Sequence, residues 1–226
     1  MPRPKVHDEA LRVRLLEQAV RTLSEDGPDA LSLRKLAAQV GTSTTAVYSL
    51  FGGKPELLNA VYEEAFARFG QRLDAVEPTA DPIADLAALG AAYRASALEE
   101  PHFYQVMFGP AGGAMTPEPD SVVRGLATFR PLLDAVQRAI DAGLLIDEDP
   151  VRIAASMWAT VHGLVSLELR ALLPAGSGEP TELYRFAFRA LGNGWRTAPG
   201  DQASGAQASG AQNSSAQRSA AQNGPN

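Results

Sequence analysis

The sequence predicts an all-α protein of about nine helices, a three-helix helix-turn-helix unit at the N-terminus followed by a larger helical body. Three observations carry that expectation. No stretch alternates apolar and polar residues with β-branched enrichment, while Ala, Leu, Arg and Glu dominate the first 197 residues. Apolar side chains recur instead at spacings of three and four. Glycine and proline fall where such stripes stop and restart. The chain has 226 residues, 45% hydrophobic and 20% charged, ordinary for a globular protein and enough for one large domain or two modest ones.

Taken in order, Leu11, Leu15, Leu16, Ala19, Val20 and Leu23 make one stripe on a helix from Asp8 to Ser24, which Gly27-Pro28-Asp29 ends. Ser32 is placed to cap a short helix carrying Leu33, Leu36, Ala37 and Val40, and Gly41 suits its left-handed end. Ser43 caps the next helix, Thr44 to Phe51, and Gly52-Gly53 breaks it. Pro55 then opens a long helix with Leu57, Leu58, Val61, Tyr62, Ala65 and Phe69 on one side. Further helices are expected at 82–99, 101–108, 119–142 (kinked or broken by Pro131), 149–173 and 180–195, with a Gly/Pro-rich loop over 109–119. From residue 198 onward no aliphatic side chain exceeds alanine, and Gln202, Gln207 and Gln212 mark a Gln-Ala-Ser-Gly-Ala repeat. Such a tail cannot bury enough apolar surface to offset its ordering entropy and is expected to be disordered. The expected division is therefore a helix-turn-helix domain at 1–55, a helical body at 56–197 and a tail at 198–226.

The chain has no cysteine, which removes disulfides, zinc–thiolate sites and thiol nucleophiles. No apolar run approaches the ~20 residues of a spanning helix, and the basic start Met1-Pro2-Arg3-Pro4-Lys5 has no apolar stretch behind it. A cytoplasmic protein without membrane association is the expectation. The net charge of −6 is uneven: through Pro55, eight Lys/Arg face six acids, leaving the remainder at −8. A mildly basic head on an acidic body suits a protein whose head alone meets phosphates.

Two short helices joined by a glycine turn, between Leu33 and Phe51, can place the second in a DNA major groove. If Val47, Leu50 and Phe51 pack inward, Thr44, Thr45, Tyr48 and Ser49 form one polar face opposite. Their hydroxyls can bond base edges or phosphates, and threonine methyls can touch thymine. Lys54 at the next helix N-terminus makes a natural phosphate site, and Arg3 and Lys5 can form an arm over DNA. The same spacing also fits ordinary packing inside an all-α protein.

Residues 8–69 resemble the N-terminal domain of the TetR family of bacterial regulators. The shared features are Ser32-Leu33-Arg34-Lys35-Leu36-Ala37, Val40-Gly41-Thr42-Ser43, Val47-Tyr48, Phe51, Lys54 and Leu57-Leu58. Farther on, Met157-Trp158-Ala159-Thr160-Val161-His162-Gly163-Leu164 resembles a C-terminal TetR subgroup characterised by Trp, His and Gly. The resemblance implies DNA contacts at Ser32, Thr42, Ser43, Thr44, Thr45, Tyr48, Ser49 and Lys54. This face lacks Arg, Asn and Gln, the best bidentate base readers, so specificity is expected from Thr44 and Thr45, helped by Arg34 or Lys35.

The resemblance also implies a small-molecule pocket in the body, with Tyr93, Phe103, Met107, Phe108, Phe129, Trp158, Val161 and His162 as candidates that are equally core residues. It implies a homodimer through the last two long helices. Ala154, Ala155, Met157, Val161, Val165, Leu169 and Leu172 would supply one apolar side, and Leu183, Phe186, Ala187, Ala190 and Leu191 the other. No catalytic set is evident: His162 has no nucleophile or orienting partner, and no second ligand stands at metal spacing on its helix. No cofactor is expected. The implied function is a repressor released from a palindromic operator by an effector. A ligand-independent dimeric DNA-binding module, or a small-molecule-binding protein with a vestigial head, are the competing readings.

Overall fold

A computed structural model of the chain describes residues 5–109, 112 and 116–197. The expected tail and Arg3 lie outside these residues, as does part of the 109–119 loop. The elements are α1 (Lys5–Asp26), a 3₁₀ turn (Pro28–Ala30), α2 (Leu33–Val40), α3 (Thr44–Phe51), α4 (Lys54–Asp74), α5 (Pro82–Glu99) and α6 (Pro101–Phe108). They continue with α7 (Pro119–Ala127), α8 (Arg130–Asp141), α9 (Pro150–Leu169) and α10 (Pro180–Gly194). Among the described residues the only β-type pairing is an isolated bridge between Leu145 and Arg196. No described helix is long and apolar enough to cross a membrane.

The α1 stripe is buried as its spacing requires: Leu15, Leu16 and Ala19 are fully inaccessible and Val20 and Leu23 nearly so. Burying each large aliphatic side chain contributes about 1.5–3 kcal/mol. Gly27 ends the run with φ 81°, and Gly41 ends α2 with φ 74°. Thr42 N–H then returns to the Ala37 carbonyl and Gly41 N–H to that of Ala38, turning the chain sharply into α3. Ser43 caps α3 by accepting from Ala46 N–H at 3.1 Å. Ser32 sits at the α2 N-cap in extended conformation, yet its hydroxyl makes no capping bond, contrary to the expectation.

Of two later boundaries, the first takes the break that Pro131 allowed and the second differs from the sequence reading. The helix expected over 119–142 is two, α7 and α8, separated at Thr128 and Phe129. Pro131 has no N–H to give to residue 127 and its ring crowds that carbonyl, so the second helix starts afresh with proline in its first turn. The helix expected to reach 173 ends at Leu169. Ala171 takes φ 53°, and the N–H groups of Ala171 and Leu172 bond back to Glu168 and Leu167.

Two apolar cores result, and α4 belongs to both. The head core joins α1, α2 and α3 through Leu16, Leu36 and Val47 to Leu57, Val61 and Ala65 of α4 and Phe103 and Val106 of α6. The body core begins at Phe69 and Leu73 of α4 and runs through Leu86, Tyr93, Val136, Ile153 and Val165. Arg68 of α4 pins the junction: it bonds Glu64 at 2.7 Å and Glu100 at 3.0 Å, and its guanidinium lies 4.5 Å over the Phe103 ring.

Candidate DNA-reading face and effector cavity

On α3, Val47 is fully buried while Ala46, Leu50 and Phe51 are partly covered. That packing turns Thr45, Tyr48 and Ser49 outward, with Tyr48 54% exposed and Thr44 partly exposed beside them. The four side chains therefore share the outer face that their spacing predicts. Thr42 and Ser43 stand in the turn before it. Ser43 keeps its hydroxyl proton free to donate, because its oxygen alone serves the cap. Ser32 stands at the α2 N-terminus, with Arg34 and Lys35 exposed two and three residues further into that helix.

Lys54 stands at the start of α4, as expected, and is tethered there. It is partly buried and its Nζ donates to the Pro28 carbonyl at 2.9 Å, tying the start of α4 to the turn after α1. An ammonium has three donors, so the tether fixes the charge and leaves two for another acceptor. Sequence reading also missed Arg12 of α1, whose guanidinium lies 5.8 Å from the Phe51 ring at the edge of this face.

The body holds a cavity of about 490 Å³. Five of the eight sequence candidates line it: Tyr93, Phe108, Phe129, Trp158 and Val161. Phe103 does not, because on α6 it shares a side with Val106 and both enter the head core. Met107 is wedged between the two cores and does not reach the cavity wall. His162 lies one layer behind that wall, its ring centroid 5.8 Å from that of Trp158 and 5.2 Å from that of Phe108.

His162 Nδ1 is 2.9 Å from the hydroxyls of both Tyr93 and Tyr104. Burial, and secondarily the positive charge of Arg170, hold the imidazole below its ordinary pKa, so the ring is neutral at pH 7. Burial likewise pushes the Tyr93 phenol far above its ordinary range. These groups form a neutral hydrogen-bonded support for the wall, with Ser166 as a further partner of Tyr104 at 3.3 Å.

Tyr62, Phe66 and Phe69 of α4 also line the cavity and went unrecognised in the sequence, where Tyr62 and Phe69 read as packing residues. The available signal was three aromatic rings at spacings of four and three on one helix. Opposite them stands α7, held to α4 by polar contacts. Glu63 accepts from Ser121 Oγ at 2.7 Å and from the Arg124 guanidinium, which together keep its carboxyl below the usual range. Asn59 Oδ1 accepts from Glu118 N–H at 2.9 Å. Gly125 lets the helices touch: a Cβ there would lie 2.8 Å from the Tyr62 hydroxyl.

A helix-turn-helix head joined through one shared helix to a body with an aromatic cavity is the architecture of a one-component DNA-binding regulator. Residues 15–61 match the family described as bacterial regulatory proteins, tetR family, and residues 86–191 match the tetracyclin repressor-like C-terminal domain. The chain belongs to the TetR family of transcriptional regulators, which are not enzymes. An HTH-type transcriptional regulator of Mycobacterium tuberculosis strain H37Rv is 25% identical over 190 residues, covering 71% of this chain and 81% of that one. A protein of unknown function from Rhodococcus sp. RHA1 superposes with TM-score 0.71 at 31% identity, covering 83% of this chain and 96% of that one. AibR, solved with isovaleryl coenzyme A and operator DNA, has the same fold, with TM-score 0.66 at 20% identity over 80% of this chain and 97% of its own.

Proposed function

We propose that the chain is a homodimeric repressor that leaves a near-palindromic operator when a small molecule enters the body cavity. The observation that carries this reading is α4 itself. Its first turns, at Leu57 and Val61, are locked in the head core, while Tyr62, Phe66 and Phe69 form a cavity wall. A ligand that favours a different α4 position therefore moves the recognition helix with it, and the coupling equals its differential affinity for the two states, typically about 1–3 kcal/mol. In this reading residues 1–55 form the DNA-binding unit and 56–197 the effector and dimerisation unit. AibR, which holds both an acyl coenzyme A and operator DNA, offers a precedent on the same fold.

The operator contacts are assigned to Ser32, Thr42, Ser43, Thr44, Thr45, Tyr48, Ser49 and Lys54, with Thr44 and Thr45 reading bases and the others holding phosphates. Two-fold symmetry would set the two α3 helices about 34–36 Å apart or a small multiple of that. Only part of the apolar α9 side expected from sequence is free to meet a partner. Ala154, Met157, Val161 and Val165 of α9 are buried in the subunit's own core, because α9 packs against α5, α8 and α10. The outer side of α9 keeps Ala155 of the expected set, with Ala159 and Leu167 exposed at spacings of four and eight beside Gly163, and Leu172 is exposed just beyond the helix end. On α10, Phe186 is 64% exposed and Leu183, Ala187 and Ala190 accompany it.

Selection of bound genomic fragments followed by gel shift over a salt series tests the reading. Operator binding should weaken with log[salt] at a slope near −0.9 per phosphate contact. Tyr48→Phe and Lys54→Ala should weaken all sites alike, whereas Thr45→Ala should change which site is preferred. Equal weakening of every site by Thr45→Ala would remove that residue from the reading face.

A further inference from the structure

We propose that the cavity takes an uncharged, mainly hydrocarbon effector carrying one hydrogen-bonding oxygen, and that this oxygen pairs with the Tyr62 hydroxyl at the α4–α7 contact. The inference rests on the reading of the cavity as the effector site and specifies what that site accepts.

The charge argument comes first. None of the residues lining the cavity is Asp, Glu, Lys, Arg or His. His162, behind the wall, is held neutral by its burial. A carboxylate, phosphate or ammonium entering about 490 Å³ of such space would lose its hydration and find no counter-charge. The rim is apolar as well: Leu126 of α7 and Val151 of α9 line the cavity and are 70% and 51% exposed, with Val122 beside them. A hydrocarbon chain meets favourable surface from rim to floor, and a charged group meets none.

The polar argument locates the oxygen. Four side chains bring polar atoms to the wall: Tyr62, Tyr93, Thr128 and Trp158. The Tyr93 hydroxyl is held by His162, with Tyr104 at 3.5 Å. The Trp158 indole N–H, a donor only, stands on the His162 side of the wall, its ring centroid 5.8 Å from that of His162. Thr128 gives its proton to the Gly125 carbonyl at 2.7 Å. The Tyr62 hydroxyl bonds to none of the described residues, and burial is the one influence that shifts its pKa. A ligand hydroxyl or carbonyl there would satisfy it. The oxygen would sit beside Gly125, whose lack of a Cβ leaves room at the Tyr62 hydroxyl.

Isothermal titration of the full chain with 1-decanol, decanoate and decylammonium tests the proposal. 1-Decanol is expected to bind at least about tenfold more tightly than either ion, since only the ions must give up charge hydration. Tyr62→Phe should weaken 1-decanol about three- to tenfold, the effect of one neutral hydrogen bond. Val161→Phe, which fills the cavity from its floor, should abolish 1-decanol binding while the circular-dichroism melt shows the variant folded. Decanoate or decylammonium binding as tightly as 1-decanol, or no binding by any probe, overturns the proposal. Unchanged 1-decanol affinity in Tyr62→Phe overturns the assigned oxygen partner. Gel shift on the operator separates this from the regulatory reading. If 1-decanol binds without releasing DNA, the ligand class stands and release fails. If decanoate alone binds and releases DNA, release stands and the uncharged class falls.

Discussion

Ala171 holds a backbone conformation, φ 53°, that elsewhere at equivalent turns this chain gives to glycine. Gly41 after α2 and Gly143 after α8 close with the same pair of backward hydrogen bonds at φ 74° and 68°. A Cβ in the left-handed region costs about 1–2 kcal/mol, part of which glycine's greater unfolded-state freedom takes back. Ala171→Gly should therefore stabilise the fold by about 0.5–1 kcal/mol and raise Tm by about 1–4 °C, read by calorimetry. An unchanged or lower Tm would mean the turn is not strained. His162 gives a pH signature of definite sign. Its folded pKa lies below the unfolded value of about 6.5, so the unfolded chain binds the extra proton first. This residue's contribution is complete above about pH 6.5 and declines as pH falls from there toward the folded value. Urea unfolding over a pH series should show His162→Gln with a shallower loss across that window; identical slopes in both proteins would refute it.

Among the elements, the α4–α7 contact is where cavity and head meet, and its strength can be measured. Glu63 takes both Ser121 and Arg124, and its side chain is 36% exposed, so solvent screening places the Glu63–Ser121 term at the low end for a hydrogen bond. A double-mutant cycle with Glu63→Gln and Ser121→Ala should return a coupling of about 0.5–1 kcal/mol in urea unfolding. Additive effects would show the contact contributes nothing to stability. Elements of this kind were the part of the fold least legible in sequence. The α1 stripe, the Gly41 turn and the α3 face could be read from periodicity, because one helix face sets them locally. The division of α6 could not: Phe103 and Phe108 look alike in sequence, yet the first enters the head core and the second the cavity wall. The break before Pro131 was signalled by the proline itself. Nothing local signalled that α4 serves two cores, since its stripe is apolar from Leu57 through Leu73 and only its distant partners change.

For the whole molecule, the sequence showed two apolar stripes near the C-terminus without showing which faces its own subunit. Helix α9 turns Ile153, Met157, Val161 and Val165 inward and keeps Ala155, Ala159 and Gly163 on its outer side with Leu167, where a neighbouring helix can approach closely. No atom lies within 4 Å of where a Gly163 Cβ would stand. On α10, Phe186 is the large ring left uncovered beside this surface, 64% exposed. In a two-fold interface every contact occurs twice, so burying Phe186 would contribute about 3–6 kcal/mol to dimerisation. Phe186→Glu should therefore raise the dimer dissociation constant by roughly 10²–10⁴, seen as a monomer in light scattering, while the exposed site leaves the subunit melt little changed. Operator binding should fall with it. A single head engages half of the phosphates, so the slope of log K against log[salt] should drop to about half its wild-type value. A Phe186→Glu protein that stays dimeric would move the interface off α10. One that is monomeric yet keeps the full salt slope would mean that each head reaches all its phosphates without its partner.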